Sequence, residues 1–175
     1  MDFTALIQLA EKELVLERNE NLHYNNVVDT NIYFVESGSL KVYVLDNDSE
    51  QIIRFGYQHN LLVFLDSFIS GSPSLFRMQA LQKTKLKVIS KEQLNQFLTI
   101  SAAHDNLWTK ILEDLVLQQM EREIDLLTTS PLARYMRVVQ RSPKLFQEIP
   151  HRHIANYLRM SPETLSRIKA QMQKS

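Results

Sequence analysis

The chain has 175 residues, of which 44% are hydrophobic and 23% charged, as in an ordinary folded protein of one domain or two small ones. It contains no cysteine, which excludes disulfides, cysteine-bound zinc and cysteine-bound iron–sulfur clusters. Its three glycines are too scattered for a dinucleotide fingerprint or a phosphate loop. The longest apolar run, Leu61 to Leu65, is far too short to span a membrane, and no signal-peptide pattern is present. We therefore expect a cytoplasmic protein.

The net charge of zero conceals a division between two parts of the chain. Residues 1–129 contain 11 Lys and Arg against 18 Asp and Glu, a net charge of −7. Residues 130–175 contain 9 against 2, a net charge of +7. A basic segment of this kind indicates a polyanionic partner. The alternative is that the basic segment packs against the acidic remainder, and charge alone does not separate the two.

Hydrophobic periodicity predicts a short helix followed by a β-rich region. Apolar residues in Phe3–Leu16 recur at helical spacing. Residues 22–89 then alternate between turn clusters and short runs rich in Val, Ile, Tyr and Phe. Strands at this spacing of ~8–12 residues are typical of an antiparallel sandwich or barrel. The predicted strands are Ile32–Val35, Leu40–Leu45, Gln51–Phe55, Leu61–Leu65, Phe76–Leu81 and Leu86–Ile89.

Two helices are predicted after the strands. Ser90 and Gln93 have the spacing of a capping box, which marks the start of the first helix. The second runs from about Ala103 to Thr128 and would be ~39 Å long, more than a small sheet can cover. We therefore predict that it pairs with a second copy of itself, the alternative being a core helix of a monomer. The predicted dimer stripe comprises Leu107, Trp108, Ile111, Leu112 and Leu115, extended by Ile124 and Leu127.

The segment His151–Ala170 has the pattern of two helices joined by a tight turn. Ile154 and Leu158 would be buried on the first helix. Ser161 is a good N-cap for the second, and Pro162 is a good first residue. Leu165 and Ile168, three residues apart, would be buried on that second helix. The pattern is typical of a helix-turn-helix, with Arg159 standing in the turn where glycine is usual.

The outward face of the second helix offers chemistry that can read DNA. Glu163 and Arg167 are four residues apart; a carboxylate accepts from cytosine N4, and an arginine donates to guanine O6 and N7. We predict these two as the base-reading residues. The predicted contacts to the DNA backbone are His151, Arg152, Ser161, Thr164 and Lys169. The alternative is an ordinary helical hairpin with a surface Glu–Arg pair.

Four stretches of the chain carry a family resemblance: Ile32–Tyr43, Phe68–Gly71, Ile154–Leu158 and Ser161–Ile168. Through them, nearly the whole chain resembles the Crp/Fnr family of bacterial transcription regulators. The last stretch, Ser-Pro-Glu-Thr-Leu-Ser-Arg-Ile, is similar to a subgroup common in Bacteroidetes. The resemblance implies an α+β fold with an antiparallel, jelly-roll-like β-roll of the cyclic-nucleotide-binding type (residues 1–100), a long dimerisation helix (101–129) and a helix-turn-helix DNA-binding domain (130–175).

The chain departs from the family pattern at the effector site. The resemblance implies that members which bind cyclic AMP offer a Glu to the ribose hydroxyl and an Arg-Ser pair to the phosphate. Phe64, Ser74 and Leu75 stand at those positions. Because a buried phosphate without a cation would lose several kcal/mol, we predict that this degenerate cassette does not bind cyclic AMP or other cyclic nucleotides. An apolar or neutral effector could bind there, or none.

We therefore predict a sequence-specific transcription regulator that binds an inverted-repeat operator as a homodimer. Many members carry a β-hairpin wing after the recognition helix; its absence from this sequence predicts weaker DNA binding. Only isolated histidines, His23, His59 and His104, could ligate a haem, so we predict no cofactor and no metal site. No catalytic cluster stands out, so we predict no enzymatic activity. The alternative is a ligand-binding or protein-interaction module whose helical tail does not bind DNA.

Overall fold

The computed structural model describes residues 3–23 and 27–172, and the chain divides into two compact units. These units are Met1–Thr109 and Lys110–Ser175, with their boundary inside one long helix. The predicted division at residues 100 and 129, and the roles assigned to its three segments, remain predictions.

The described part of the first unit contains seven strands in two antiparallel sheets. One sheet has the order β1-β7-β2-β5 and the other β4-β3-β6. Each of the six predicted strands is present, with its bounds moved by a few residues. The strands are β1 (Lys12–Leu16), β2 (Ile32–Ser37), β3 (Ser39–Asp46), β4 (Ser49–Tyr57), β5 (Leu61–Val63), β6 (Arg77–Ala80) and β7 (Thr84–Ile89).

The two sheets enclose one apolar core. Successive side chains of a strand point to opposite faces, so Leu40 and Val42 on β3 both face inward and are buried. Tyr33 and Val35 do the same on β2. Leu16, Leu22, Leu62, Phe64, Met78, Ala80 and Leu86 complete the buried cluster. This β-roll and the helices that follow confirm the predicted α+β fold class.

The chain passes from one sheet to the other at Gly38. Its φ is +89°, a conformation that side-chain-bearing residues rarely adopt. A Cβ at this position would lie 2.4 Å from the carbonyl oxygen of Lys83 and 2.5 Å from Oγ1 of Thr84. Only glycine therefore fits this crossing.

The predicted N-terminal helix over Phe3–Leu16 is wrong beyond its first turn. The helix α1 covers only Thr4–Ile7, and Lys12–Leu16 form β1. β1 pairs antiparallel with β7, so that Leu14 lies opposite Leu86, and Leu16 is 2% exposed. Pairing with a distant strand overrides the local helical spacing in this segment.

Three helices follow or interrupt the strands of the first unit. They are α2 (Leu65–Ser70), α3 (Lys91–Ile100) and α4 (Ala102–Leu127). The predicted capping box of Ser90 and Gln93 is present at the start of α3. Sequence reasoning missed α2, because the apolar run Leu61–Leu65 continues across the end of β5 without a turn signal.

In the described residues of the second unit, the regular elements are all helices. After the end of α4 it contains α5 (Pro131–Arg141), α6 (Leu145–Glu148), α7 (His151–Tyr157) and α8 (Pro162–Met172). Ser130 caps α5 through its hydroxyl, which accepts from the amide of Ala133. The core of this unit includes Val138, Ile154, Leu158 and Leu165, all at most 1% exposed. In the part of the chain that the structure describes, no helix is long and apolar enough to cross a membrane.

Candidate nucleic-acid interface and effector site

The turn between α7 and α8 is a Schellman motif with arginine in the usual glycine position. The amide of Met160 donates to the carbonyl of Ala155 at 3.0 Å, and the amide of Arg159 to that of Asn156 at 3.0 Å. Arg159 adopts φ +53° to allow both bonds. A left-handed conformation costs a residue other than glycine ~1 kcal/mol or more. The predicted turn is therefore present, at the cost of some strain.

The outward face of α8 carries the two predicted base-reading residues. Leu165 and Ile168 are 1% and 7% exposed and anchor the helix. Glu163, Ser166 and Arg167 are exposed. The structure therefore brings the predicted acceptor and donor to one solvent-facing surface, which we call the α8 face (Pro162, Glu163, Ser166, Arg167 and Ala170).

Local hydrogen bonds hold the first turn of α8. The hydroxyl of Ser161 accepts from the amide of Thr164 at 3.2 Å, and Arg167 Nη2 donates to Thr164 Oγ1 at 3.3 Å. The hydrogen bond to Ser161, followed by the backbone and the charge of Arg167, lowers the pKa of Glu163. Glu163 therefore presents an ionised acceptor at neutral pH. Ser161 and Thr164, predicted as backbone contacts, serve here to shape the start of the helix.

The remaining predicted phosphate contacts lie on α7 and α8. His151 and Lys169 are neighbours, with 2.5 Å between the imidazole Nε2 and the lysine Nζ. Arg152 is exposed and donates from Nε to the imidazole of His153 at 3.1 Å. In the described parts of the chain, no ion pair joins Arg152, Arg167 or Lys169 to a carboxylate.

Two other basic residues of the +7 segment are paired within the fold. Arg137 and Arg141 on α5 both bond to Glu121 and Asp125 on α4, at distances from 2.5 to 3.2 Å. Asp125 is fully buried, whereas the Glu121 side chain is 45% exposed. Burial acts to lower the pKa of Arg141, but the hydrogen bond and charge of Asp125 outweigh it and raise that pKa. Part of the basic segment thus neutralises acidic α4, and part of it faces solvent.

Arg122 of α4 binds the C-terminal end of α7. Its Nη2 donates to the carbonyl of Tyr157 at 2.7 Å, and its guanidinium lies 3.7 Å from the centre of the Tyr157 ring. Burial lowers the pKa of Arg122, and the charge of Asp125 is among the effects that oppose this shift. Sequence reasoning missed Arg122 and Asp125, because isolated charges on a helix ordinarily indicate a solvated face. Together they fasten α5 and α7 to α4.

The exposed apolar face of α4 differs from the predicted dimer stripe. Ile111 is only 5% exposed, Trp108 packs against Phe68 with 5.8 Å between ring centres, and Leu107, Leu112 and Leu115 are half-buried. At ~100° per residue, Ile111 and Leu127 lie about 160° apart, so Leu127 does not extend the same stripe. Five apolar residues of α4 are 44% to 80% accessible, and we call them the α4 stripe: Val116, Leu117, Met120, Ile124 and Leu127.

The predicted effector residues lie in the segment 64–76, which we call the cassette. Phe64 is 3% exposed and belongs to the β-roll core, so it offers no acceptor to a ribose. Ser74 is half-buried and donates its hydroxyl to Asp66. Leu75 is 83% exposed, so the three residues do not line one pocket. None of the three residues supplies a carboxylate to a ribose or a cation to a phosphate.

A buried polar cluster lies beside the cassette and was not predicted. Asp29, 3% exposed, accepts from the hydroxyl of Tyr33 at 2.6 Å and contacts Nε2 of His23 at 2.6 Å. The Asp29 amide donates to the hydroxyl of Ser67 on α2 at 2.8 Å. Burial, followed by the charge of Asp29, raises the pKa of Tyr33, which stays neutral. Asp29 thus ties α2 to β2.

Comparisons with known proteins agree with this architecture. The cyclic nucleotide-binding domain family matches residues 13–101, slightly more than half of the chain. FixK2 from Bradyrhizobium japonicum is 17% identical with a TM-score of 0.77, over 93% of this chain and 84% of that one. A CooA mutant from Carboxydothermus hydrogenoformans is 14% identical with a TM-score of 0.74, over 99% and 81%. The global regulator CLP from Xanthomonas campestris is 15% identical with a TM-score of 0.67, over 97% and 89%.

These matches establish the class of protein. The chain belongs to the cyclic nucleotide-binding domain family. The fold that the resemblance to the Crp/Fnr regulators implies is confirmed, since solved structures with this fold cover nearly the whole chain. The comparison with curated protein sequences finds no match.

Proposed function

We propose that the chain is a sequence-specific DNA-binding transcription regulator that acts as a homodimer in the cytoplasm. The observation that carries this proposal is the α8 face, where Glu163 and Arg167 are exposed while Leu165 and Ile168 are buried. A helix with this division can enter a major groove and present a donor and an acceptor to base edges.

The distribution of charge supports the same proposal. Arg152, Arg167 and Lys169 lack a carboxylate partner in an ion pair among the described residues, although the chain as a whole is neutral. Cations near a recognition helix that are not held in an ion pair are the groups that neutralise DNA phosphates. Arg137 and Arg141 are excluded from this role by their bonds to Asp125.

One structurally similar protein is described in terms of gene regulation. The Xanthomonas campestris protein is a c-di-GMP-responsive global regulator that links cell–cell signalling to virulence gene expression. Regulation of transcription therefore suits this fold, and we propose the same general role here. The cassette geometry supports the further proposal that cyclic AMP is not the effector of this chain.

The α4 stripe supports dimerisation. Leu117, Met120, Ile124 and Leu127 follow one another at steps of three and four residues, the spacing of a helix that packs along another helix. A monomer would leave these side chains in water. A second copy related by a two-fold axis would cover each stripe with the same stripe of its partner. We propose this stripe, in place of the predicted one around Ile111, as the dimer contact.

The proposal is tested by selecting bound sequences from a random pool of duplex DNA with the purified full chain. We expect an enriched inverted repeat whose half-sites lie about one helical turn apart, ~34 Å. The control is a chain with Arg167→Ala, which should no longer enrich one of the conserved base pairs. A pool without any enriched sequence would contradict the proposal and would favour the interaction module without DNA binding.

A further inference from the structure

The cassette contains an anion of its own. The carboxylate of Asp66 accepts from the amide of Ser67 at 2.8 Å, from the hydroxyl of Ser74 at 2.8 and 3.0 Å, and from the amide of Leu75 at 2.9 Å. We propose that Asp66 is a built-in anion that takes the place of a ligand phosphate in the cassette, so that this β-roll selects against anionic effectors. This inference concerns the first unit and does not depend on DNA binding.

Asp66 uses hydrogen-bond donors at the two positions that bear on phosphate binding. Ser74 and Leu75 stand at the two positions where the family resemblance implies contacts to the phosphate. Both already donate to Asp66, from the hydroxyl and from the amide respectively. An incoming anion must therefore displace the carboxylate or remain without hydrogen-bond partners, and either alternative weakens its binding.

The charge of Asp66 opposes an anion as well. No ion pair joins Asp66 to a lysine or arginine in the portion of the chain that the structure describes. A phosphate placed near Ser74 would meet a carboxylate of the same sign at short range. A neutral or cationic molecule meets no such opposition, so the class of effector compatible with this site is uncharged or positively charged.

Asp66 also connects two parts of the cassette. It lies in the first turn of α2, and its bonds to Ser74 and Leu75 join that helix to the loop before β6. The loop is fastened further by the amide of Phe76, which donates to Ser74 Oγ at 3.0 Å. The cassette is thus held together without a ligand, by a side chain of the chain itself.

The first measurement uses the unmodified full chain and follows the amide resonance of Leu75 by NMR. Although the Leu75 side chain is exposed, its amide is bonded to Asp66, so we expect slow hydrogen exchange and no shift on addition of inorganic phosphate or cyclic AMP. Hydrogen exchange at the rate of a solvent-exposed amide without a hydrogen bond, or a saturable shift of the Leu75 resonance with phosphate, would overturn the proposal.

The second measurement asks whether removing the carboxylate uncovers an anion site. Asp66→Ala frees the Leu75 amide and the Ser74 hydroxyl, and Asp66→Asn removes the charge while keeping one acceptor. With about 50 mM phosphate against chloride of equal ionic strength, we expect the Tm of Asp66→Ala to rise by ~3 °C more than that of the unmodified chain. The matched control is Asp46→Asn, an exposed aspartate of the same β-roll, which should behave as the unmodified chain.

Asp66→Asn serves as a second variant in case the alanine variant is unfolded. If Asp66→Ala does not fold, Asp66→Asn is titrated with phosphate, and we expect the Leu75 amide to shift in that variant alone. Equal phosphate responses in both variants, the control and the unmodified chain would show general stabilisation by the salt and would overturn the proposal.

Discussion

Asp29 and Asp66 in the first unit are bonded to groups of the same fold, whereas Glu163 and Arg167 in the second unit face solvent. Asp66 is bonded to Ser74 and Leu75, where the family resemblance implies contacts to a phosphate, and Glu163 and Arg167 stand where it implies contacts to DNA. In the β-roll those groups are satisfied internally, and on α8 they are exposed. The second unit is therefore able to bind a charged partner from solution, whereas the cassette of the first unit is closed to an anion.

The largest expected effect is a loss of stability when a buried charge of the second unit is removed. Asp125→Ala removes a fully buried carboxylate that pairs with Arg137 and Arg141, which would leave two cations without it. We expect a loss of about 3–5 kcal/mol in the stability of this unit, as for other broken buried pairs. The check is the hydrogen exchange of the Val138 amide on α5.

Glu121→Ala provides the matched control, because Glu121 binds the same two arginines from a half-exposed position. Solvent screening limits its expected cost to ~1 kcal/mol or less. Equal losses for the two variants would contradict the assignment of Asp125 as the residue that fastens α5 to α4.

A smaller effect is expected when the α4 stripe is interrupted. Met120→Glu combined with Ile124→Glu places like charges on an exposed apolar face, and we expect the dimer to dissociate at least ~100-fold more readily, about 3 kcal/mol. Sedimentation velocity over a range of concentrations measures this change. Gln119→Glu adds a charge at an exposed position of the same helix and should leave the dimer intact. A monomeric unmodified chain would refute the stripe as a dimer contact.

The α8 face is tested by comparing two arginines. Arg167→Ala should cost ~1–3 kcal/mol of affinity for the selected operator and relax its preference at one base pair. Arg152→Ala should weaken binding to all sequences alike and lower the salt dependence, because a phosphate contact carries no sequence information. Fluorescence anisotropy with operator and scrambled duplexes distinguishes the two. If both variants retain the preference of the unmodified chain, α8 does not read bases.

The smallest expected effect concerns the turn before α8. Arg159 adopts φ +53°, so Arg159→Gly should stabilise the second unit by about 0.5–1 kcal/mol through relief of that strain, less the greater chain entropy of glycine. The Tm of the second unit, measured by thermal unfolding, reports the change in stability. A lower Tm would indicate that the arginine side chain contributes more than its backbone costs.

Much of this architecture could be predicted from the sequence, for reasons that are local. Turn clusters separate the strands, and the spacing of Ile154, Leu158, Leu165 and Ile168 fixes the buried faces of α7 and α8. The features that were missed are long-range. β1 forms because Leu14 pairs with Leu86 far along the chain.

In the candidate sites, too, local features could be predicted from the sequence and long-range contacts could not. The exposed positions of Glu163 and Arg167 could be predicted, because helical periodicity alone determines their face. The bonds of Asp66 to Ser74 and Leu75 could not, since they depend on how α2 packs beside a loop. Arg122 was also beyond prediction, because its burial depends on the placement of Tyr157.

The central claim is that the α8 face is the surface that meets DNA, and NMR mapping of the full chain tests it most directly. On addition of the selected operator duplex, we predict that the amide resonances of Glu163, Ser166, Arg167 and Ala170 shift, with smaller changes around His151 and Lys169. The amide resonances of the cassette around Ser74 should stay where they are, because we expect no contact between the cassette and DNA. Saturable shifts elsewhere while those of the α8 face stay fixed, or no shifts at any residue, would contradict the account.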